Sequence, residues 1–157
     1  MKRSSASSLQ ATVVLIGIGA LAFLLWEPHI EGRNAHATTL EIYLKDPFLA
    51  FVYLGSIPFF MALYRASGLF GQVRKDGAFS PATVDALRAI KHCAIVIIGF
   101  VAVGVGFIIA FGDKDDRPAG FFMCLLVTVA SSAVAIAAAK SARRLEDALR
   151  RSGASPG

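Results

Sequence analysis

The sequence predicts an all-α integral membrane bundle of four transmembrane helices, both termini cytoplasmic, and three observations carry that prediction. Residues of the AVILMFWYC set make up 55% of the 157 positions and charged residues only 17%, against about 25% charged in a soluble domain. The charges are also segregated, because residues 4–26, 47–64, 92–112 and 118–139 contain no Asp, Glu, Lys or Arg. Each of those stretches has the length of a helical crossing, which needs about 17–25 residues for a hydrocarbon core about 30 Å thick. Segregation of this kind excludes a soluble single-core domain and a disordered chain. The runs are continuous rather than alternating, which excludes barrel strands. In lipid such runs must be helical, because no water is available to a bare backbone amide.

The first span is Leu9–Trp26. Lys2 and Arg3 before it resemble a signal-peptide start, and Ala35-His36-Ala37 has the small-x-small form of a cleavage site. The apolar run exceeds the usual length of about 7–15 residues, and a charged segment separates it from that site, so the span is read as uncleaved. Segment 27–46 holds a short interfacial element around Leu40, Ile42, Tyr43 and Leu44, whose helical or extended character stays open.

Asp46-Pro47 opens the second span, Pro47–Tyr64, with an N-cap and a proline at the first helical position. Pro58, after Gly55-Ser56, is a candidate helix kink, and a structural role is preferred over a hinge or a polar pocket. Gly68, Gly71 and Gly77 are expected to break up any continuation of this span. Ser80-Pro81 then starts a cytosolic helical extension, 81–92, with Val84, Leu87 and Ile90 on one face, lying at the inner interface and leading into the third span, Cys93–Phe111.

Arg117-Pro118 leads into the fourth span, Gly120–Ala139, which continues as a second extension, 140–151, with Ala142, Leu145 and Leu149 on one face. Residues 1–151 thus form one domain, and 152–157 is a frayed tail. Small residues recur at i+4 as Ala102, Gly106, Ala110 and as Ser131, Ala135, Ala139, a spacing read as packing within the chain rather than homodimerisation. Trp26, Tyr43 and Tyr64 sit at or near span ends, where amphipathic rings favour the headgroup layer.

Orientation follows the positive-inside rule. The N-terminal tail, segment 65–92 and the C-terminal tail carry twelve Lys and Arg, whereas segments 27–46 and 112–119 carry four. The more basic side is cytoplasmic. The formal net charge of +5 is therefore a topology signal. The cations are split among short segments with few aromatics between them, so no direct nucleic-acid binding is expected.

No span contains Asp, Glu, Lys, Arg or His. Proton pumping, ion coupling and intramembrane proteolysis generally need such groups. The chain also lacks a phosphate-binding glycine loop, a Gly-x-Ser-x-Gly elbow and an HExxH pair. No enzyme and no cofactor are expected. The outer acidic turn, Asp113, Asp115 and Asp116, lacks the glycine and terminal glutamate of a calcium loop and is read as solvated. His29 and His36 with Glu27, Glu31 and Glu41 match no compact zinc motif, and His92 is read as an interface residue. Cys93 and Cys124 lie near opposite membrane faces, beyond disulfide reach.

Three local patterns resemble a bacterial membrane family known as domain of unknown function 2975. They are Ser56-Ile57-Pro58-Phe59-Phe60-Met61-Ala62-Leu63-Tyr64, then Gly77-Ala78-Phe79-Ser80 with the helix reaching Ala89-Ile90-Lys91, and Asp113-Lys114-Asp115-Asp116 with Pro118 and Gly120. Together they cover roughly residues 47–140, most of the chain. Arg117 departs from the small residue of the pattern. The resemblance implies four membrane helices in a bacterial inner (plasma) membrane and supplies no catalytic or ligand residues. It also suggests, by analogy alone, a helix-turn-helix regulator as partner.

The reading is therefore a regulatory or anchoring membrane protein acting through membrane lipids, a cytosolic regulatory protein or a second copy of itself. The alternative is a small transport or channel component. The candidate partner or lipid contacts are Arg65, Arg74, Lys75, Val84, Leu87, Arg88, Lys91, Arg143, Arg144, Leu145 and Leu149, with the four apolar residues among them expected to be exposed.

Overall fold

The computed structural model describes residues 3–26, 38, 40, 47–76, 79–112, 114 and 117–153. The elements among them are four helices, α1 (Arg3–Trp26), α2 (Pro47–Asp76), α3 (Pro81–Phe111) and α4 (Arg117–Gly153). The expected interfacial element around Tyr43, the cap at Asp46, the expected break at Gly77, the His29/His36 group and the acidic turn Asp113, Asp115 and Asp116 lie outside the described residues.

Each helix runs antiparallel to its predecessor, and the substantial packing joins sequence neighbours, α1 to α2, α2 to α3 and α3 to α4. Gln10 Nε2 donates to Ser67 Oγ at 3.5 Å, and the Tyr53 hydroxyl donates to the Leu24 carbonyl, which fixes the α1–α2 register at both ends. The Phe51 ring lies 5.4 Å from Phe100 and stacks at 5.7 Å on Phe107, joining α2 to α3. Gly55 lets the Phe100 ring come within 3.3 Å of where a Cβ would stand. Gly120 does the same for Ile108 at 3.0 Å, at the α3–α4 crossing. α3 is thus the central helix and α1 an edge helix.

The helix starts follow local chemistry. Ser80 is extended (φ −143°, ψ 151°), its Oγ accepts from the Thr83 amide at 3.2 Å, and Pro81 follows at the first helical position. α3 stops at Gly112, whose amide donates to the Ile108 carbonyl at 3.0 Å. α2 passes through Pro58 without interruption, and Ser56 Oγ donates to the Tyr53 carbonyl at 2.6 Å one turn earlier.

The helices are longer than the spans read from the sequence. The expected break at Gly68 and Gly71 does not occur, because α2 continues to Asp76. Leu69 is buried with Ile90 and Ala138, and Ala66 and Val73 pack on that cluster. Such burial outweighs the helix cost of about 1 kcal/mol per glycine. The 31 residues of α3 and the 37 of α4 span about 46 Å and 55 Å at about 1.5 Å per residue, well beyond a hydrocarbon core of about 30 Å.

Three helices are long and apolar enough to cross a membrane, over Ser7–Trp26, Pro81–Phe111 and Arg117–Gly153. α2 is not a clear span by the same measure over its described residues. The small-residue expectation holds only in α4, where Ser131 is buried and Ala135 and Ala139 are half-buried. In α3 the stripe Ala102, Gly106, Ala110 faces outward, and a Cβ on Gly106 would meet nothing. The face of α3 that approaches its neighbours is set instead by Gly104 against Phe51 and by Ile108 against Gly120. Cys93 and Cys124 are both free thiols.

Candidate functional site

The surface divides sharply along the helix axes. Large exposed apolar residues run from Leu9 to Trp26 on α1, end at Tyr64 on α2, begin at Ile95 on α3 and end at Ile136 on α4. Beyond them, over 65–76, 81–94 and 137–153, the helices carry no large exposed apolar side chain. The large apolar residues there are buried or half-buried. Leu69, Ile90 and Ala138 form one buried cluster, and Val84, Ala142 and Leu145 form another, with Leu87 packed on both and Leu149 on the second. The apolar belt ends about 3–8 Å from the first cluster on all three helices, so its edge lies at nearly one height. Past that edge α2, α3 and α4 form a stub with its own core.

Water is the physical reason for such a core. Apolar side chains facing lipid have nothing to gain from one another, whereas those facing water gain about 1.5–3 kcal/mol each by burial.

This corrects one expectation. Val84 and Leu145 are not exposed contact residues, since they retain only 3% and 9% of their surface. The apolar face of 81–92 is covered by α2 and α4. Sequence periodicity reveals an apolar face, but not which neighbour covers it.

The cations do remain on the surface. Arg65, Arg74, Lys75, Arg88, Lys140, Arg143, Arg144, Arg150 and Arg151 are exposed and Lys91 is half-buried. Arg88 alone among them is paired within the described residues, donating to Glu146 across the α3–α4 seam, with Asp85 at 3.8 Å on its own helix. A pair this exposed contributes at most about 1 kcal/mol. His92 Nδ1 donates to the Arg88 carbonyl at 2.7 Å, which ties the imidazole to its own helix.

Counted along each helix from the belt edge, the cations fall into two tiers. Arg65, Lys91 and Lys140 stand within about 6 Å of it, whereas Arg74 and Lys75 stand about 15–17 Å past it and Arg150 and Arg151 about 21 Å past it. Arg88, Arg143 and Arg144 lie between. Near the outer limit, in the α2–α3 connection, Phe79 keeps 71% of its surface. It occupies the position before the Ser80 N-cap from which a side chain normally staples onto the fourth helical residue, here Val84. With its ring this exposed, Phe79 is not used that way. A lone aromatic beside Ser-Pro in a polar connection is the signal by which the sequence could have revealed it.

At the opposite end Arg117 bridges the α3–α4 turn. Its Nε donates to the Gly112 carbonyl and its Nη2 to the Ile109 carbonyl, both at 3.1 Å. Among the described residues no three His, Cys, Asp or Glu converge as a metal site would require.

Comparison with known proteins shows the family of the chain. Residues 32–150 match the family described as protein of unknown function DUF2975. The chain belongs to that family. Within the DUF2975 proteins it is similar to the uncharacterized membrane protein YoaS of Bacillus subtilis (strain 168), at 33% identity over 150 residues, 95% of this chain and 94% of that protein. No solved structure matches. The three patterns of the resemblance, over 56–64, 77–91 and 113–120, all fall inside the matched region. It is a membrane family, and helices long and apolar enough to cross a membrane, with their belt of exposed apolar residues, are what such a family requires.

Proposed function

We propose that this chain is a four-span protein of the bacterial inner membrane, with α2 as its fourth crossing, that acts through contacts with lipids and proteins rather than by catalysis. Both termini and residues 65–92 are placed in the cytoplasm. The supporting observation is the stub: three helices leave the apolar belt together, bury their own core, and keep nearly all of their cations free of carboxylate partners among the described residues. A protein that needed only to span the membrane would not require such an extension. α2 packs between α1 and α3 over its charge-free stretch, which favours its crossing alongside them. The lower tier, Arg65, Lys91 and Lys140, sits at headgroup depth, where each cation contributes about 1 kcal/mol to binding an anionic leaflet. The stub beyond it is offered to a cytosolic regulatory partner.

Single cysteines at Ala37, Gly77 and Ser152, in a background lacking Cys93 and Cys124, test the topology. Gly77 and Ser152 should label only from the cytoplasmic side and Ala37 only from the other. Labelling of Ala37 and Gly77 from one side removes the four-span arrangement. Reconstituted protein should support no solute or ion flux into liposomes, and robust flux would replace this reading with a transport one.

A further inference from the structure

Lipid attraction does not account for the upper tier. The headgroup layer adds only about 5–7 Å to the hydrocarbon edge, and attraction to anionic lipids fades over a Debye length of about 8 Å at physiological ionic strength. Arg74, Lys75, Arg150 and Arg151 lie about 15–21 Å past the belt edge, a height that the usual helix tilt of about 20° barely lowers. They have no carboxylate partner among the described residues. At this same end stands Phe79, the only large apolar side chain exposed on the described part of the stub. Isolated exposed apolar residues are ordinary on a surface. Here, however, the ring sits where it would normally close onto its own helix, and it remains open at the same end as four cations that lack a carboxylate partner among the described residues.

We propose that this tip, Phe79 with Arg74, Lys75, Arg150 and Arg151, docks an acidic segment of a soluble protein whose apolar side chains cover the Phe79 ring. The charges set the sign of the partner and steer its approach. The aromatic ring supplies the desolvated anchor that a purely electrostatic contact lacks. Nucleic acid would satisfy the cations, but in duplex form it would leave the ring uncovered. The proposal rests on the cytoplasmic placement of the stub.

The test uses the full-length protein in nanodiscs of zwitterionic phosphatidylcholine, so that no anionic lipid competes. The probes are a fluorescent glutamate-rich peptide carrying leucines and a counterpart of equal charge with serine at each leucine. The leucine peptide should bind at least about tenfold tighter, the ratio expected from covering one aromatic ring. Phe79→Ser should abolish that preference, and Arg74→Glu with Lys75→Glu should weaken both peptides. Arg65→Glu with Lys140→Glu, in the lower tier, should leave both unchanged. These positions are exposed, and each variant should remain monodisperse.

Equal binding of the two peptides, no binding of either at physiological salt, a preference that survives Phe79→Ser, or dependence on the lower tier instead would each overturn the proposal. So would a DNA duplex that binds as tightly as the leucine peptide and is indifferent to Phe79. Cytoplasmic labelling at Gly77 and Ser152 without peptide binding defeats the tip alone; labelling from the outside defeats the underlying topology as well.

Discussion

Arg117 shows what one side chain does for the α3–α4 turn. A helix ends with unsatisfied carbonyls and partial negative charge, and a guanidinium in bonding reach answers both. Arg117→Gln should destabilise the protein by about 1–2 kcal/mol, seen as a lower thermal midpoint in detergent, because charge-assisted bonds to Ile109 and Gly112 are lost. Gly112→Ala should act in the same direction by another route, since its Cβ would stand 2.5 Å from the Ile108 carbonyl oxygen. The last turn of α3 must then open. Neither role was legible in the sequence, where Arg117 registers only as a departure from the pattern of its relatives. A cap of this kind depends on where a chain end returns in space, and composition carries no record of that.

The individual helices were far easier to read. Charge-free stretches locate the apolar belt, and Ser80-Pro81 marks the start of α3 at the residue where the structure places it. The continuation of α2 through Gly68 and Gly71 was not readable, because the gain comes from Ile90 and Ala138, distant in sequence. The seam between α3 and α4 carries a prediction of its own. Leu145→Ala should cost about 2–5 kcal/mol, as deletion of a buried leucine does. Hydrogen exchange should accelerate in 81–90 and 140–150 while 96–111 stays protected. Loss of a partner on mutating Leu145 would therefore report damage to the stub rather than a lost contact, so the exposed Phe79 is the cleaner probe.

At the scale of the molecule, the four helices form an antiparallel series in which, among the described residues, α3 supplies most of the buried positions and α1 none. Span number and charge bias pointed to a bundle, but the order of packing came from specific contacts such as Gly55 with Phe100 and Gly120 with Ile108. Depth measurements can test the belt directly. Spin labels at Ile95 and Ile136 should be relaxed by a lipid-soluble quencher, and labels at Asp85 and Arg144 by a water-soluble one. Equal quenching at all four positions would contradict the boundary.

α3 and α4 cross that boundary without a loop or a break in the helix. The stub is therefore a lever rigidly joined to the part in lipid. A thinner or thicker bilayer changes helix tilt, and a tilt of about 10° acting on an arm of about 20 Å swings Phe79 sideways by about 3–4 Å. Any protein seated on that tip would be displaced by the membrane itself, so changes in bilayer thickness become movements on the water side.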